Sequence, residues 1–473
     1  MFKRTFSLHS TFCFVALAVA PAIATAQYQQ QNTGARSYPW RAETGSGNAV
    51  SRQNVPAPPT VNADGSSFRL LPASARLQDP VPAAQQQGGA SASLSDTTQS
   101  DQVPNPPVTG NNQGIEQNRA LSVNSNAINE DYSSYGQSDG RCNLGEVRRI
   151  FGTTQNGLMI GGFSQSGYHN RNTITFNNRA KEANLHQLWG YIDRSADCDA
   201  GRQFGFRIDG LYGIDAQDIQ AIGNSPTGAP TGWDNGWDNG SFGFALPQAY
   251  VEYENSDTTV RVGKFLSPIG FESIPSVENF FYSRTYARYY TEPFSHTGLL
   301  AEREIRPGVT AIGGVTLGWN SGFDQTDNGF NLLTGIRMRA NDRVSLGLTG
   351  SMGDTGYRGS GVLQTATLEV RLTDKVTWGM QGDFLNLQTN DEIGMTNYLF
   401  YCHNKCFSVG SRLEWWKSDQ LFTSSQSTWD WTFGANWRPR ANVVIRPEIR
   451  SDWGAAAVNE WDPIVGIDAV FLF

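Results

Sequence analysis

A chain of 473 residues in which 44 Asp and Glu outnumber 36 Lys and Arg has a formal charge of -8, which excludes a general affinity for nucleic acid or anionic lipid surfaces. Aromatic residues make up 12% of it, yet no apolar run reaches the ~20 residues that a transmembrane helix takes. Composition is uneven from end to end, so the chain is read in parts.

The first part is residues 1–26. Lys3 and Arg4 precede an apolar stretch from Phe12 to Ala20, and Ala24-Thr25-Ala26 stand before Gln27. A basic start, a short apolar middle and small residues at the end form a secretory signal peptide for Sec-type export, with cleavage expected after Ala26. A retained interfacial anchor is the alternative. Cys13 lies inside the apolar middle, behind Phe12, which argues against lipid attachment there. Cleavage removes Lys3 and Arg4 and takes the formal charge from -8 to -10.

Residues 27–140 are rich in Gln, Pro, Ser, Asn, Ala and Gly, and Trp40 is their only tryptophan. Segments such as Gln85-Gln86-Gln87-Gly88-Gly89 and Pro104-Asn105-Pro106-Pro107 bury too little apolar area to offset a chain entropy of ~1–2 kcal/mol per residue. A disordered, low-complexity arm is expected, acting as a linker or as a tether to cell wall or partners.

Residues 141–473 carry twelve of the thirteen tryptophans and glycine throughout. Their cysteines, Cys142, Cys198, Cys402 and Cys406, are compatible with two disulfides or with four free thiols. Cys402 and Cys406 flank His403-Asn404-Lys405, so a bond across that hairpin would leave Cys142 for Cys198. One neighbouring His403 makes a poor zinc signal, and neither a metal nor a cofactor is expected.

Alternation dominates this region. Phe204, Phe206 and Ile208 alternate with Arg207 and Asp209; Ala249, Val251 and Tyr253 with Tyr250, Glu252 and Glu254; Val344, Leu346 and Leu348 with Ser345, Gly347 and Thr349. Ala366, Leu368, Val370 and Leu372 face Thr365, Thr367, Glu369 and Arg371 in the same way, and Val376, Trp378 and Met380 face Thr377, Gly379 and Gln381. Trp429, Trp431 and Phe433 do so against Asp430 and Thr432. Each run is a strand with two unlike faces. Short turn formers such as Asn255-Ser256-Asp257, Asn341-Asp342-Arg343, Thr373-Asp374-Lys375 and Pro439-Arg440-Ala441-Asn442 alternate with longer polar stretches, for example Gly213 to Ser241 and Asp419 to Ser427.

A soluble sandwich also alternates. Three features favour lipid. The runs approach the ~9–11 residues that cross a bilayer at a tilt, against ~5–6 in soluble strands. Trp319, Trp415, Trp416, Trp437 and Trp453 sit near strand ends, where interfacial girdles belong. At the C-terminus, Val465, Ile467, Ala469, Phe471 and Phe473 alternate with Gly466, Asp468, Val470 and Leu472. A last amphipathic strand with Phe471 and a final Phe473 resembles the signal read by the bacterial barrel-assembly machinery. The expected fold is all-β, an antiparallel transmembrane β-barrel of about 14–16 strands with a disordered N-terminal arm, in contact with outer-membrane lipids.

Val262-Gly263-Lys264-Phe265-Leu266-Ser267-Pro268-Ile269-Gly270-Phe271-Glu272, then Asn279-Phe280-Phe281-Tyr282-Ser283-Arg284, and Glu292-Pro293-Phe294-Ser295-His296-Thr297-Gly298-Leu299-Leu300 form a central block. It resembles the putative β-barrel porin-2 family, OmpL-like, of planctomycete-type and related bacteria. Asn397-Tyr398-Leu399-Phe400-Tyr401 and Gly410-Ser411-Arg412-Leu413-Glu414-Trp415 look like a second family block. The resemblance covers most of 141–473 and none of the arm, and implies a porin in the bacterial outer membrane. The tandem Trp233-Asp234-Asn235-Gly236 and Trp237-Asp238-Asn239-Gly240 has no counterpart in it; calcium or sugar binding is its sharper reading, exposed loop tips the plainer one.

The stretch from Phe265 to His296 is too long and too aromatic for a simple turn. It is expected to fold inward as a pore constriction, where Glu272, Glu278, Arg284, Arg288, Glu292 and His296 either set the field felt by a solute or pair to pin the loop. Lumen lining is expected from Arg207, Asp209, Glu252, Glu254, Arg261, Arg337, Arg339, Glu369, Arg371, Arg412, Glu414, Arg446, Glu448 and Arg450. Unpaired buried charges cost several kcal/mol, so these groups must be wet or paired.

Enzyme signatures are weak. GxSxG, HExxH and GxxxxGK[ST] are absent, and His296 near Ser295 and Ser283 is the sole candidate pair. The expected function is passive diffusion of small hydrophilic solutes through a water-filled barrel, not catalysis. The competing classes are a structural or adhesive barrel with a plugged lumen and a secreted, soluble β-rich binding protein. A homotrimer is the oligomer to test for.

Overall fold

The computed structural model describes residues 156–473 except 174, 199–200, 224–233, 420–425, 456 and 458–460. The predicted signal peptide, the arm and Cys142 lie outside the described residues.

Sixteen strands pair in sequence order, each antiparallel to the next, and the last pairs with the first to close a barrel. They are β1 (Met159–His169), β2 (Ala183–Arg194), β3 (Phe204–Gly213), β4 (Gly243–Asn255), β5 (Thr258–Leu266), β6 (Ser295–Arg306), β7 (Val309–Thr316) and β8 (Phe330–Asn341). The second half of the ring comprises β9 (Val344–Asp354), β10 (Ser360–Arg371), β11 (Val376–Leu387), β12 (Asp391–Asn404), β13 (Phe407–Ser418), β14 (Gln426–Arg440), β15 (Val443–Gly454) and β16 (Ile464–Leu472). Closure removes every free edge, the condition for a sheet in hydrocarbon. Phe473 completes the seam, its N–H donating to Gly162 O at 2.9 Å and its carbonyl accepting from Gly162 N–H at 3.0 Å. Among the described residues no helix is long and apolar enough to cross a membrane.

The two rims differ as the turn chemistry requires. At one, connections 256–257, 307–308, 342–343, 405–406 and 441–442 span two residues each. Asn341 Oδ1 accepts the Arg343 N–H there at 2.8 Å, a side chain standing in for backbone in a tight turn. The opposite rim carries the long connections 214–242, 267–294 and 317–329. Short periplasmic turns and long external loops are the outer-membrane pattern.

Strand period places the apolar row outside. Ile208 is 47% exposed between Arg207 and Asp209, each at 0%, and Val251, Trp431 and Phe471 are likewise exposed while Glu252, Asp430 and Asp468 are buried. Trp429, Trp453 and Trp461 stack one on the next around the long-loop rim, with Trp415 tilted against Trp429. Two predicted girdle residues belong elsewhere: Trp416 is fully buried, sharing the inner face of β13 with Arg412 and Glu414, and Trp319 is buried with its Nε1 donating to Ser351 Oγ at 3.0 Å.

The cysteine pairing also differs from expectation. Cys198 and Cys406 are free, whereas Cys402 is disulfide-bonded. Register explains the failed hairpin bond, because Cys402 stands opposite Ser408 and Cys406 lies in the turn beyond the Asn404–Phe407 pair.

Candidate functional site

The loop between β5 and β6, residues 267–294, enters the barrel and crosses to the wall of β13 and β14, half-way round the ring. Wall carboxylates capture its backbone donors. Glu414 accepts the N–H groups of Tyr286 and Ala287 at 2.7 and 2.8 Å, and Glu448 accepts those of Tyr282 and Ser283 at 2.9 and 3.2 Å. Wall arginines take its carbonyls: Arg446 donates to Ser276 O and Asn279 O at 2.8 and 2.7 Å, and Arg450 to Arg284 O at 2.7 Å. The loop thus finds in the wall the partners that a strand or helix would have supplied.

Its aromatic rings dock where the wall has no side chain. A Cβ on Gly379 would meet Phe271 at 2.8 Å, one on Gly410 Phe280 at 2.6 Å, one on Gly434 Phe281 at 3.2 Å and one on Gly466 Tyr282 at 3.0 Å. Phe271 also stacks on Tyr398 with 4.5 Å between centroids.

The predicted loop charges are mostly spent on pinning. Glu272 accepts from Arg412 at 2.8 Å and from the Thr285 N–H at 3.0 Å. Arg288 pairs with Glu292, which also accepts from Gln381 Nε2, a residue whose Oε1 takes the Phe271 N–H. Arg284 lies among loop carbonyls, and Glu278 is the half-buried charge of the group. His296 is in β6, opposite Phe265, with Nε2 3.3 Å from Ser267 Oγ. Ser283, its proposed partner in a catalytic pair, instead contacts Arg412 at 3.1 Å.

All fourteen predicted lining residues sit on strand faces opposite the apolar rows, in three groups. On β3 and β13–β15, Arg207, Asp209, Arg412, Glu414, Arg446, Glu448 and Arg450 are buried. On β4–β8 a charge ladder runs Glu252, Arg261, Glu302, Arg337, with contacts of 2.7, 3.0 and 2.9 Å. Glu254, Arg339, Glu369 and Arg371 are half-buried near the short-turn rim.

A buried relay escaped the sequence reading. Asp215 Oδ1 lies 2.9 Å from His186 Nδ1, His186 Nε2 lies 2.6 Å from the Tyr282 hydroxyl, and that hydroxyl lies 3.2 Å from His169 Nδ1. The inward parity of His186 and His169 was the available signal; their link through a loop tyrosine had none. Tyr282→Phe is expected to destabilise the barrel by ~1–3 kcal/mol, since it strands buried polar partners. A lowered urea midpoint in detergent, with far-UV strand signal retained at zero urea, checks this.

The tandem repeat is divided. Asp234 is buried and accepts the N–H groups of Ala221 and Leu246 at 3.0 and 2.9 Å, while Trp237 is exposed. Burial pushes the Asp234 carboxyl above its usual range, against the lowering effect of those bonds. Asp234 is therefore a latch within loop 214–242, whereas residues 236–240 are exposed.

An apolar exterior, a charged interior and a long loop folded inside define a porin-type β-barrel of the bacterial outer membrane. The family match is specific: the chain belongs to the family described as Putative beta-barrel porin-2, OmpL-like, whose model matches residues 152–473. Among solved structures it is similar to a loop-deletion mutant of OmpT, an outer membrane protein of Vibrio cholerae, with 10% identity, TM-score 0.43, 67% of this chain and 99% of that one covered. It is similar to a mutant of Rh. blastica porin, with 15% identity, TM-score 0.43 and coverage of 67% and 100%. The outer membrane channel DcaP of Acinetobacter baumannii gives 10% identity, TM-score 0.45 and coverage of 68% and 99%. No curated protein matches the chain.

Proposed function

We propose that the chain is exported by a Sec-type signal peptide, inserted by the barrel-assembly machinery acting on the strand that ends in Phe471 and Phe473, and passes small hydrophilic solutes by passive diffusion as a homotrimer. The observation that carries the diffusion reading is the closed ring with charge on its inner face and apolar residues on its outer face. The inner loop is the constriction. Its own charges hold it in place, so the field on a solute comes from the ladder on β4–β8 together with Arg339, Glu369 and Arg371. The reading is non-enzymatic, in keeping with the porin family.

One observation favours a second reading, a plugged barrel with a structural or adhesive role: nearly every side chain of residues 268–288 is buried. Planar-bilayer recording of the purified full chain separates the two. Discrete conductance steps in potassium chloride are expected; a correctly folded barrel that inserts without steps sinks the diffusion reading.

A further inference from the structure

Among the described residues, nine arginines are buried in the barrel. Seven meet a carboxylate oxygen at between 2.5 and 2.9 Å. The eighth, Arg284, donates to the carbonyls of Phe281 and Ile274 at 3.5 and 3.4 Å. Arg438 has neither kind of partner among the described residues. Its place is the inner face of β14 close to the short-turn rim, where its backbone N–H donates to Cys406 O at 2.7 Å. Only 6% of its surface is exposed, and its Nε is sealed from solvent without an acceptor. The charged group that bears on it is another cation, Arg446, whose guanidinium is already committed to Asp468 and to the carbonyls of Ser276 and Asn279. Val444, buried on the inner face of β15, adds an apolar neighbour.

An arginine cannot shed its proton, so a buried one without a carboxylate needs its counter-charge from elsewhere. We propose that Arg438 anchors a site for a small oxyanion, a carboxylate or phosphate, at the periplasmic mouth of the barrel. With Nε sealed, the Nη1–Nη2 edge of the guanidinium offers two parallel N–H donors, which match two oxygens of one anion and have no such match with a halide. Neighbouring low-dielectric surface strengthens that contact. The site deepens the diffusion reading by naming a solute class and rests on it for access, while binding itself can be read without transport.

The test uses the full chain refolded in detergent, with sodium phosphate, sodium succinate and sodium chloride compared at equal ionic strength. Phosphate or succinate is expected to raise the wild-type unfolding temperature by about 3–5 °C over chloride, as a ligand confined to the folded state does. Arg438→Gln should abolish the shift, and in chloride should unfold no lower than wild type, because it removes an uncompensated charge. Arg303→Gln, at the exposed Arg303–Asp257 pair, should keep the shift. A response to one anion alone supports the site and identifies the solute class more narrowly. A wild type without a shift, or an Arg438→Gln barrel that keeps it, overturns the proposal. Binding without conductance would refute diffusion and leave the site standing; conductance without binding would do the reverse.

Discussion

On the constriction reading, replacing residues 272–290 with a short Gly-Ser bridge is expected to raise single-channel conductance at least about fivefold, because it removes a loop that enters the barrel and pore size governs ion passage. The wall it leaves stays polar. Arg412, Glu414, Arg446, Glu448 and Arg450 lose their loop partners but gain water, and on the strands Arg412, Arg446 and Arg450 keep Asp430, Asp468 and Asp452. The deletion should therefore fold, and heat-modifiable gel mobility verifies that it has. Unchanged conductance in a folded deletion would mean that ions do not pass the loop, and the constriction assignment would fail.

Arg412→Leu lowers stability by ~3–5 kcal/mol, the usual consequence of removing one partner from a buried charged cluster. Arg412 donates to Glu272 at 2.8 Å, Ser283 O at 3.0 Å, Ser283 Oγ at 3.1 Å and Thr432 Oγ1 at 3.2 Å, and lies over the Phe281 ring at 5.2 Å. Its loss leaves Glu272 and Asp430 short of counter-charge and unties the loop from β13. Arg412→Lys keeps the charge but not the fork, and should fall between the two. Urea midpoints of the three barrels in detergent give the comparison; equal midpoints would show that the loop is held by its docked rings and its bonds to Glu414, Glu448, Arg446 and Arg450 without help from Arg412.

Much of the barrel was legible because a strand repeats every two residues. Asp430 between Trp429 and Trp431 states which face is which before any pairing is known. The same rule, applied to Trp415 and Trp416, requires one of them to face inward, so the girdle assignment of Trp416 went further than parity allows; Trp319 follows β7 in a loop, where no period applies. The inner loop announced itself by length and aromatic content. Its destination did not, since Glu272 and Arg412 are 140 positions apart and meet only through closure of the whole ring. The glycine sockets were hidden for the same reason: Gly379, Gly410, Gly434 and Gly466 look like ordinary strand glycines until the rings opposite them are placed. Cys402 and Cys406 misled because hairpin register, not spacing, decides which cysteine faces which.

The inner loop leans on β11–β16, β1 and β2, and leaves β7–β10 facing few of its side chains. One flank of the cylinder is thereby braced by hydrogen bonds and docked rings, while toward β7, β8 and β10 the loop offers Ile269 to an apolar cluster with Ile312, Leu333 and Leu363. Backbone amide exchange is therefore expected to be faster on β7–β10 than on β11–β16.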